Sequence, residues 1–146
     1  MRRYGTPPLA GQRYTPRPGV YAILLRAGRV LLTHQQEPWP EHQLPGGGID
    51  PGENPLHALH REVFEETGWR IGAARRVQVH RRFTYMPEYD LWAEKICTIY
   101  LARPALRLGP PLETGHSEVW VPAAAAADLV ASPGDRAALI QVLGAA

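Results

Sequence analysis

From Gly19 to Arg26 the chain is apolar at almost every position, with Val20, Ala22, Ile23, Leu24 and Leu25 leaving no polar face. Unbroken apolarity over so short a run predicts a strand covered on both sides. Ala27-Gly28 offers a turn, and Arg29 to Gln35 predicts the returning arm of a hairpin. The stretch Glu37-Pro38-Trp39-Pro40-Glu41 reads as a loop, and His42 to Leu44 as a short strand entering a glycine turn. Asp50-Pro51-Gly52 places Pro and Gly where a type II turn wants them. The period then changes. Leu56, Leu59 and Val63 recur at helical spacing behind Asn54, a good N-cap, and Pro55, which suits the first helical position. Gly68 stands where a left-handed residue closes a helix.

Beyond that helix, Arg75 to Tyr85 alternates as a strand, and Leu91 to Ala102 is the most apolar strand of the chain. A short strand is expected at Glu118 to Val121, with Pro122 opening an alanine-rich helix to about Val130 and a last helix following Pro133-Gly134. Residues 1–18, rich in Pro, Arg and Gly, read as a loosely held N-terminal arm with a short edge strand, and residues 19–146 as the folded domain. Strands interrupted by one long central helix and followed by terminal helices predict an α/β domain, a mixed β-sheet packed between helices.

Composition narrows the class. A chain of 146 residues with 45% apolar content suits one globular domain. No stretch approaches a membrane span, and the start Met-Arg-Arg-Tyr-Gly-Thr-Pro-Pro has no apolar signal region, so a cytoplasmic setting is expected. Cys97, the single cysteine, lies in an apolar run and is expected to pack rather than react. A net charge of +2 is too small to argue for nucleic acid as a partner.

The central helix carries the chemistry. At about 100° per residue, Glu62, Glu65 and Glu66 share a sector beside the apolar stripe, within reach of one ion. Carboxylates this close repel unless a cation is expected. Oxygen ligands without Cys or His favour a hard cation, Mg²⁺ or Mn²⁺, over zinc. Arg61 can hold one carboxylate in a bidentate pair and leave the others free. A solvated acidic face is the alternative; the core stripe beside the acids and the glycine-rich turn before them weigh against it.

The same residues resemble the Nudix box: Gly47, five residues, Glu53, seven residues, Arg61-Glu62-Val63, one residue, Glu65-Glu66-Thr67-Gly68 and an apolar residue. Trp69 departs mildly from the usual aliphatic residue, and Leu44-Pro45-Gly46 is similar to the family's lead-in. The resemblance to Nudix hydrolases of the MutT-like type implies an α/β/α sandwich. It further implies Mg²⁺-dependent hydrolysis of a nucleoside diphosphate linked to another group. It makes Glu62, Glu65 and Glu66 metal ligands together with the Gly46 carbonyl. Arg61 becomes an orienting residue, and Glu53 an outer ligand or support.

Other residues are candidates around this centre. Trp39, His42 and Gln43 flank the loop before it, and an exposed Trp39 can stack on a nucleobase. Of Arg81 and Arg82 one is expected to touch phosphate, with Arg82 carried forward, and Tyr85 joins the substrate-binding set. Tyr85 stands in a region where dinucleoside-polyphosphate members of the family carry a tyrosine, and the proline associated with ADP-ribose members is absent. Family members place an additional carboxylate on a later loop, and one of Glu113 and Glu118 is expected to fill that role. His57 and His60 are expected at the surface or in packing, and His34 and His80 as strand residues without chemistry.

A nucleotide pyrophosphohydrolase is therefore expected, acting on a nucleoside triphosphate or a modified nucleotide. Dinucleoside polyphosphates, ADP-ribose or nucleotide sugars are the alternative substrates. A non-catalytic nucleotide sensor should have lost box glutamates, which this chain keeps, and an RNA-end hydrolase should be more basic. The expected partner is a small-molecule nucleotide, with no membrane; a homodimer stays open.

Overall fold

The computed structural model describes residues 1–113 and 115–144. Its elements are β1 (Arg2–Arg3), β2 (Thr15–Arg26), β3 (Arg29–Gln35), β4 (Glu41–Gln43), β5 (Gly46–Gly48), α1 (Pro55–Thr67), β6 (Trp69–Met86), β7 (Leu91–Arg107), β8 (His116–Pro122), α2 (Ala123–Leu129) and α3 (Pro133–Leu143). The strands run β1-β6-β7-β2-β3-β4, with β5 on β2 and β8 on β3. Parallel pairing of β2 with β7 and of β1 with β6, among antiparallel neighbours, makes the sheet mixed.

Alternation along the central strands sorts the core into two layers. Val20, Ala22, Leu24 and Leu31 face α1, packing with Ala58, Leu59 and Val63. Ile23, Val30, Leu32, Cys97 and Ile99 face the other way, against Ala126 of α2 and Ala138 and Leu139 of α3. The result is the expected helix–sheet–helix sandwich, and β2 is buried on both sides as its unbroken apolarity implied. Complete burial of a side chain such as Leu59 contributes roughly 2 kcal/mol by area. No described helix is long and apolar enough to cross a membrane.

The α1 boundaries follow local signals. Asn54 accepts from the Leu56 and His57 N–H groups, Pro55 begins the helix, and Gly68 closes it at a left-handed φ of 76°. An added Cβ at Gly68 would run into the Gly109 carbonyl, so the turn admits no side chain.

Several expectations shift. The strand expected from Gly19 begins at Thr15, because residues 15–18 pair with Ala93 to Ile96 of β7, so part of the expected arm lies in the sheet. The strand expected from Arg75 begins at Trp69 and bends at register shifts near Gly72 and Arg76, a bulged course that masks its alternation. The expected glycine turn is strand β5, paired with Gly19 to Tyr21. Leu56 is 44% exposed rather than part of the core stripe, since the first turn of α1 projects past the sheet. Ala58 takes its place.

Candidate active site

Helix α1 delivers its carboxylates to one spot. Glu66 sits where a core residue would and is buried, its Oε1 accepting from the Gly46 N–H at 3.0 Å. Burial raises its pKa well above the ordinary carboxylate range; the Gly46 N–H opposes this, and the charges of Glu113, Glu62 and Glu65 add to it. The Glu62 carboxyl is raised too, chiefly by burial, with Arg61 opposing. Its carboxylate lies so close to Gly47 that a Cβ there would meet the Glu62 Cδ at 2.6 Å. The glycine strand is thus the wall on which the acids rest.

Arg61 organises the outer side. Its Nε and one terminal nitrogen bond the two Glu53 oxygens at 2.8 Å each. Its other terminal nitrogen reaches Glu62 at 2.9 Å and Glu65 at 3.4 Å. The forked bond from Arg61 drives the Glu53 pKa far down, and the same bond raises that of Arg61. Glu53 also closes the turn through the Asp50 N–H at 3.0 Å.

The segment after β7 completes the cluster. The Leu112 and Glu113 N–H groups donate to the Glu65 carbonyl at 2.8 and 3.1 Å, satisfying an acceptor in the last turn of α1. This brings the Glu113 carboxylate among the helix acids. Glu62, Glu65 and Glu113 can each offer an oxygen within 4.8 Å of the others, and so can Glu66, Glu113 and His116 as donors within 4.8 Å. Two overlapping donor groups sharing Glu113, in which burial pushes Glu62 and Glu66 towards protonation, fit a hard divalent cation. His116 adds a nitrogen to which sequence reasoning assigned no role; its spacing of three from Glu113 was the available signal. Glu118 lies outside both groups, its Oε1 held by Arg107 at 2.6 Å.

On the far side of β5 lies a cavity of about 270 Å³, whose lining includes Gly46, Gly47 and Gly48. Trp39, Arg82 and Tyr85 line it. Trp39 is exposed and donates from Nε1 to Glu41 at 3.1 Å, and the Tyr85 hydroxyl donates to Asp90. His42 is not part of the lining; its ring meets that of His34 at 4.7 Å, which, with burial as the larger cause, lowers its pKa. Sequence reasoning missed Tyr21, Lys95 and Asp135, which also line the cavity. Lys95, the single lysine, within an apolar strand was the signal for one of them.

With this geometry in view, comparison with known proteins is informative. The profile of the NUDIX domain matches residues 15–142. A Bacillus subtilis (strain 168) protein provisionally named an 8-oxo-dGTP diphosphatase is 32% identical over 74 residues, 51% of this chain and 50% of that protein. An RNA pyrophosphohydrolase of Pectobacterium atrosepticum is 44% identical over 59 residues, 39% of this chain and 31% of that protein. The chain thus spans half the length or less of these curated relatives. A crystal structure of a MutT NUDIX hydrolase from Burkholderia pseudomallei superposes with a TM-score of 0.68 at 27% identity, covering 88% of this chain and 98% of that one.

Proposed function

The chain belongs to the NUDIX family, and from that premise we propose that it is a metal-dependent nucleotide pyrophosphohydrolase. The observation that carries the reading is the pair of overlapping donor groups, Glu62, Glu65 and Glu113 with Glu66, Glu113 and His116, set against the glycine strand. The names of the two curated relatives, a diphosphatase and a pyrophosphohydrolase, support the reaction type. A nucleoside triphosphate or modified nucleotide is the proposed substrate.

Glu62, Glu65, Glu66 and Glu113 would hold Mg²⁺, with Mn²⁺ an alternative that the His116 nitrogen favours, and the Gly46 carbonyl is a further proposed ligand. When bound, such an ion neutralises phosphate oxygens and lowers the pKa of water. The chain's own residues do the rest. Arg61 fixes Glu53 and Glu62 so that the acids keep one arrangement. Glu66 is held by the Gly46 N–H and cannot swing away. Glu113 is the better proton acceptor of the two later carboxylates, because Arg107 occupies Glu118. Arg82, Trp39 and Tyr85 bind substrate in this proposal, and His42, which faces His34 and does not line the cavity, does not. The proposal includes a cytoplasmic setting, supported by an unpaired buried Cys97, and an N-terminal arm shortened to residues 1–14, since residues 15–18 belong to β2, checked by limited proteolysis.

The test is hydrolysis of a panel of nucleoside triphosphates, nucleotide sugars, ADP-ribose and dinucleoside polyphosphates with Mg²⁺ or Mn²⁺ in ¹⁸O-labelled water. Inorganic pyrophosphate from a triphosphate, with the label on one phosphorus product, is expected. Release of orthophosphate alone from every substrate contradicts the proposal.

A further inference from the structure

Strands β3 and β4 carry two histidines directly opposite one another. His34 is the register partner of His42, and on its other side it pairs with Ser117 of β8. Pleating sends this row to the face opposite the next row, which holds His116, Gln35 and Glu41. The pair is therefore separate from the carboxylate cluster that His116 joins. Both imidazoles are half-buried, with ring centroids 4.7 Å apart and planes inclined by 60°. The His57 and His80 rings each meet a side-chain oxygen at hydrogen-bond distance, whereas among the described residues His34 and His42 meet none. Burial, and then the charge of His34, lower the His42 pKa, so this ring is neutral at neutral pH and keeps a free nitrogen lone pair.

The spacing of the rings is that of two ligands on one ion. An imidazole nitrogen binds Zn²⁺ at about 2.0–2.1 Å, which puts the ring centroid about 3.2 Å from the ion. Ligands in square-planar and tetrahedral sites subtend about 90–110°, so two such centroids stand about 4.5–5.2 Å apart. The observed 4.7 Å lies inside that range. A ring centroid lies close to the Cβ–Cγ axis. Turning either ring about χ2, a soft torsion, therefore selects the nitrogen presented without changing the spacing. The donor type reverses the preference of the carboxylates on α1: imidazole suits Zn²⁺, Ni²⁺ or Cu²⁺ rather than Mg²⁺. Two protein ligands leave the remaining positions to water, so an ion held this way exchanges, unlike one enclosed by four side chains.

We propose that His34 and His42 form a second metal site, a two-histidine clamp for a divalent transition-metal ion of the Zn²⁺, Ni²⁺ and Cu²⁺ class. This inference is independent of the nucleotide reading. An ion there fastens β4 to β3. Strand β4 is three residues long and ends the strand order, held among the described residues by β3 and by a single bridge from His42 to Val130. The clamp thus ties down the strand that follows the Trp39 loop, where Trp39 lines the cavity.

Electron paramagnetic resonance of the full chain with one equivalent of Cu²⁺, Mg²⁺ being in excess throughout, tests the donor atoms. Calorimetric titration with Zn²⁺ tests the affinity. The Cu²⁺ signal should show hyperfine coupling to two imidazole nitrogens. His34→Gln and His42→Gln should each reduce the coupling to one nitrogen and weaken Zn²⁺ binding by about 10-fold or more, since one ligand is lost. The two-nitrogen coupling should persist when Glu66→Gln and His116→Gln are combined, because that pair of changes disarms the carboxylate cluster alone. Coupling to fewer than two imidazole nitrogens in the parent overturns the proposal, and that spectrum stands whether or not a variant folds. Zn²⁺ affinity unchanged in both His34→Gln and His42→Gln overturns it as well. Loss of the two-nitrogen coupling on changing Glu66 and His116 would place the ion in the carboxylate cluster and also overturn it.

Discussion

Replacing Asp135 by Asn should stabilise the protein at alkaline pH, although it removes a charge from the first turn of α3. Asp135 is buried, and its pKa is pushed from an ordinary 3.8 up to about 6, chiefly by desolvation. A raised acid pKa means that the folded chain holds the proton more tightly than the unfolded one. The cost of burying the carboxylate is fully present above about pH 6, shrinks as pH falls through that value, and is gone below the unfolded pKa. The gap is worth about 3 kcal/mol at 1.36 kcal/mol per pH unit. Two effects offset part of the gain. Lys95, whose pKa is raised to about 12 chiefly by Tyr21, also receives a contribution from Asp135. The helix N-terminus favours a negative charge by about 0.3–1 kcal/mol.

A net gain of about 1–2 kcal/mol therefore remains for Asp135→Asn near neutral and alkaline pH, or roughly 2–8 °C in Tm for a chain of this size. Thermal melts of both proteins in chelator, at intervals between about pH 4 and pH 8, check the sign and the window. The curves should converge at the acid end. A variant less stable than the parent at about pH 8, or a difference that does not change with pH, would refute the reasoning.

Other perturbations address the carboxylate cluster. Glu66→Gln should lower turnover by about 100-fold or more while the metal-free protein melts no lower than the parent at neutral pH, because an amide keeps the bond from the Gly46 N–H and removes a costly buried charge; near-parental kcat is the contrary result. Mg²⁺ should raise Tm by mass action, by about 2.7 kcal/mol of stability at 100 times its Kd, and excess chelator should remove activity reversibly; full activity in chelator would argue for metal-free chemistry. Gly47→Ala should displace the Glu62 carboxylate and cost about 1–3 kcal/mol of stability, with a larger apparent Kd for Mg²⁺ by calorimetric titration; unchanged Mg²⁺ affinity would show that Glu62 does not need its place on β5.

The parts of the site that were legible in the sequence are those encoded locally. Asn54, Pro55 and Gly68 bound α1 within one stretch, and the 3.6-residue period alone gathers Glu62, Glu65 and Glu66. The fold class was legible for a similar reason, since β2 is apolar on both faces and only a sheet covered on both sides needs that. What escaped depends on pairing between distant segments. Glu113 was anticipated only as one of a pair with Glu118, and His116 not at all; both reach the helix acids because the loop before β8 hydrogen-bonds the Glu65 carbonyl, a contact with no trace in either segment's own pattern. Lys95 and Asp135 line one cavity from β7 and the start of α3, forty residues apart in sequence, and each looks ordinary alone: a charge in a strand, an acid in the first turn of a helix. Leu56 went the other way, because its spacing fits the stripe while its position at the helix start carries it beyond the sheet.

The two halves of the site share one more property. Glu66 comes from the helix on one face of the sheet and Asp135 from a helix on the other, and burial raises the pKa of both. Each is approached by a backbone N–H of the same short segment, Gly46 for Glu66 and Leu44 for Asp135. Strand β5 and the residues before it are thus clamped between two carboxylates that the fold would hold more cheaply as amides. A protein selected for stability alone would keep neither, and structural ion pairing does not account for them, because neither forms an ion pair among the described residues. Perturbed acids that converge on one segment next to a cavity are what a functional site would call for. On the proposed reading Glu66 would serve the cation of the carboxylate cluster, and the glycines of β5 would let a phosphate approach the strand on which the acids rest.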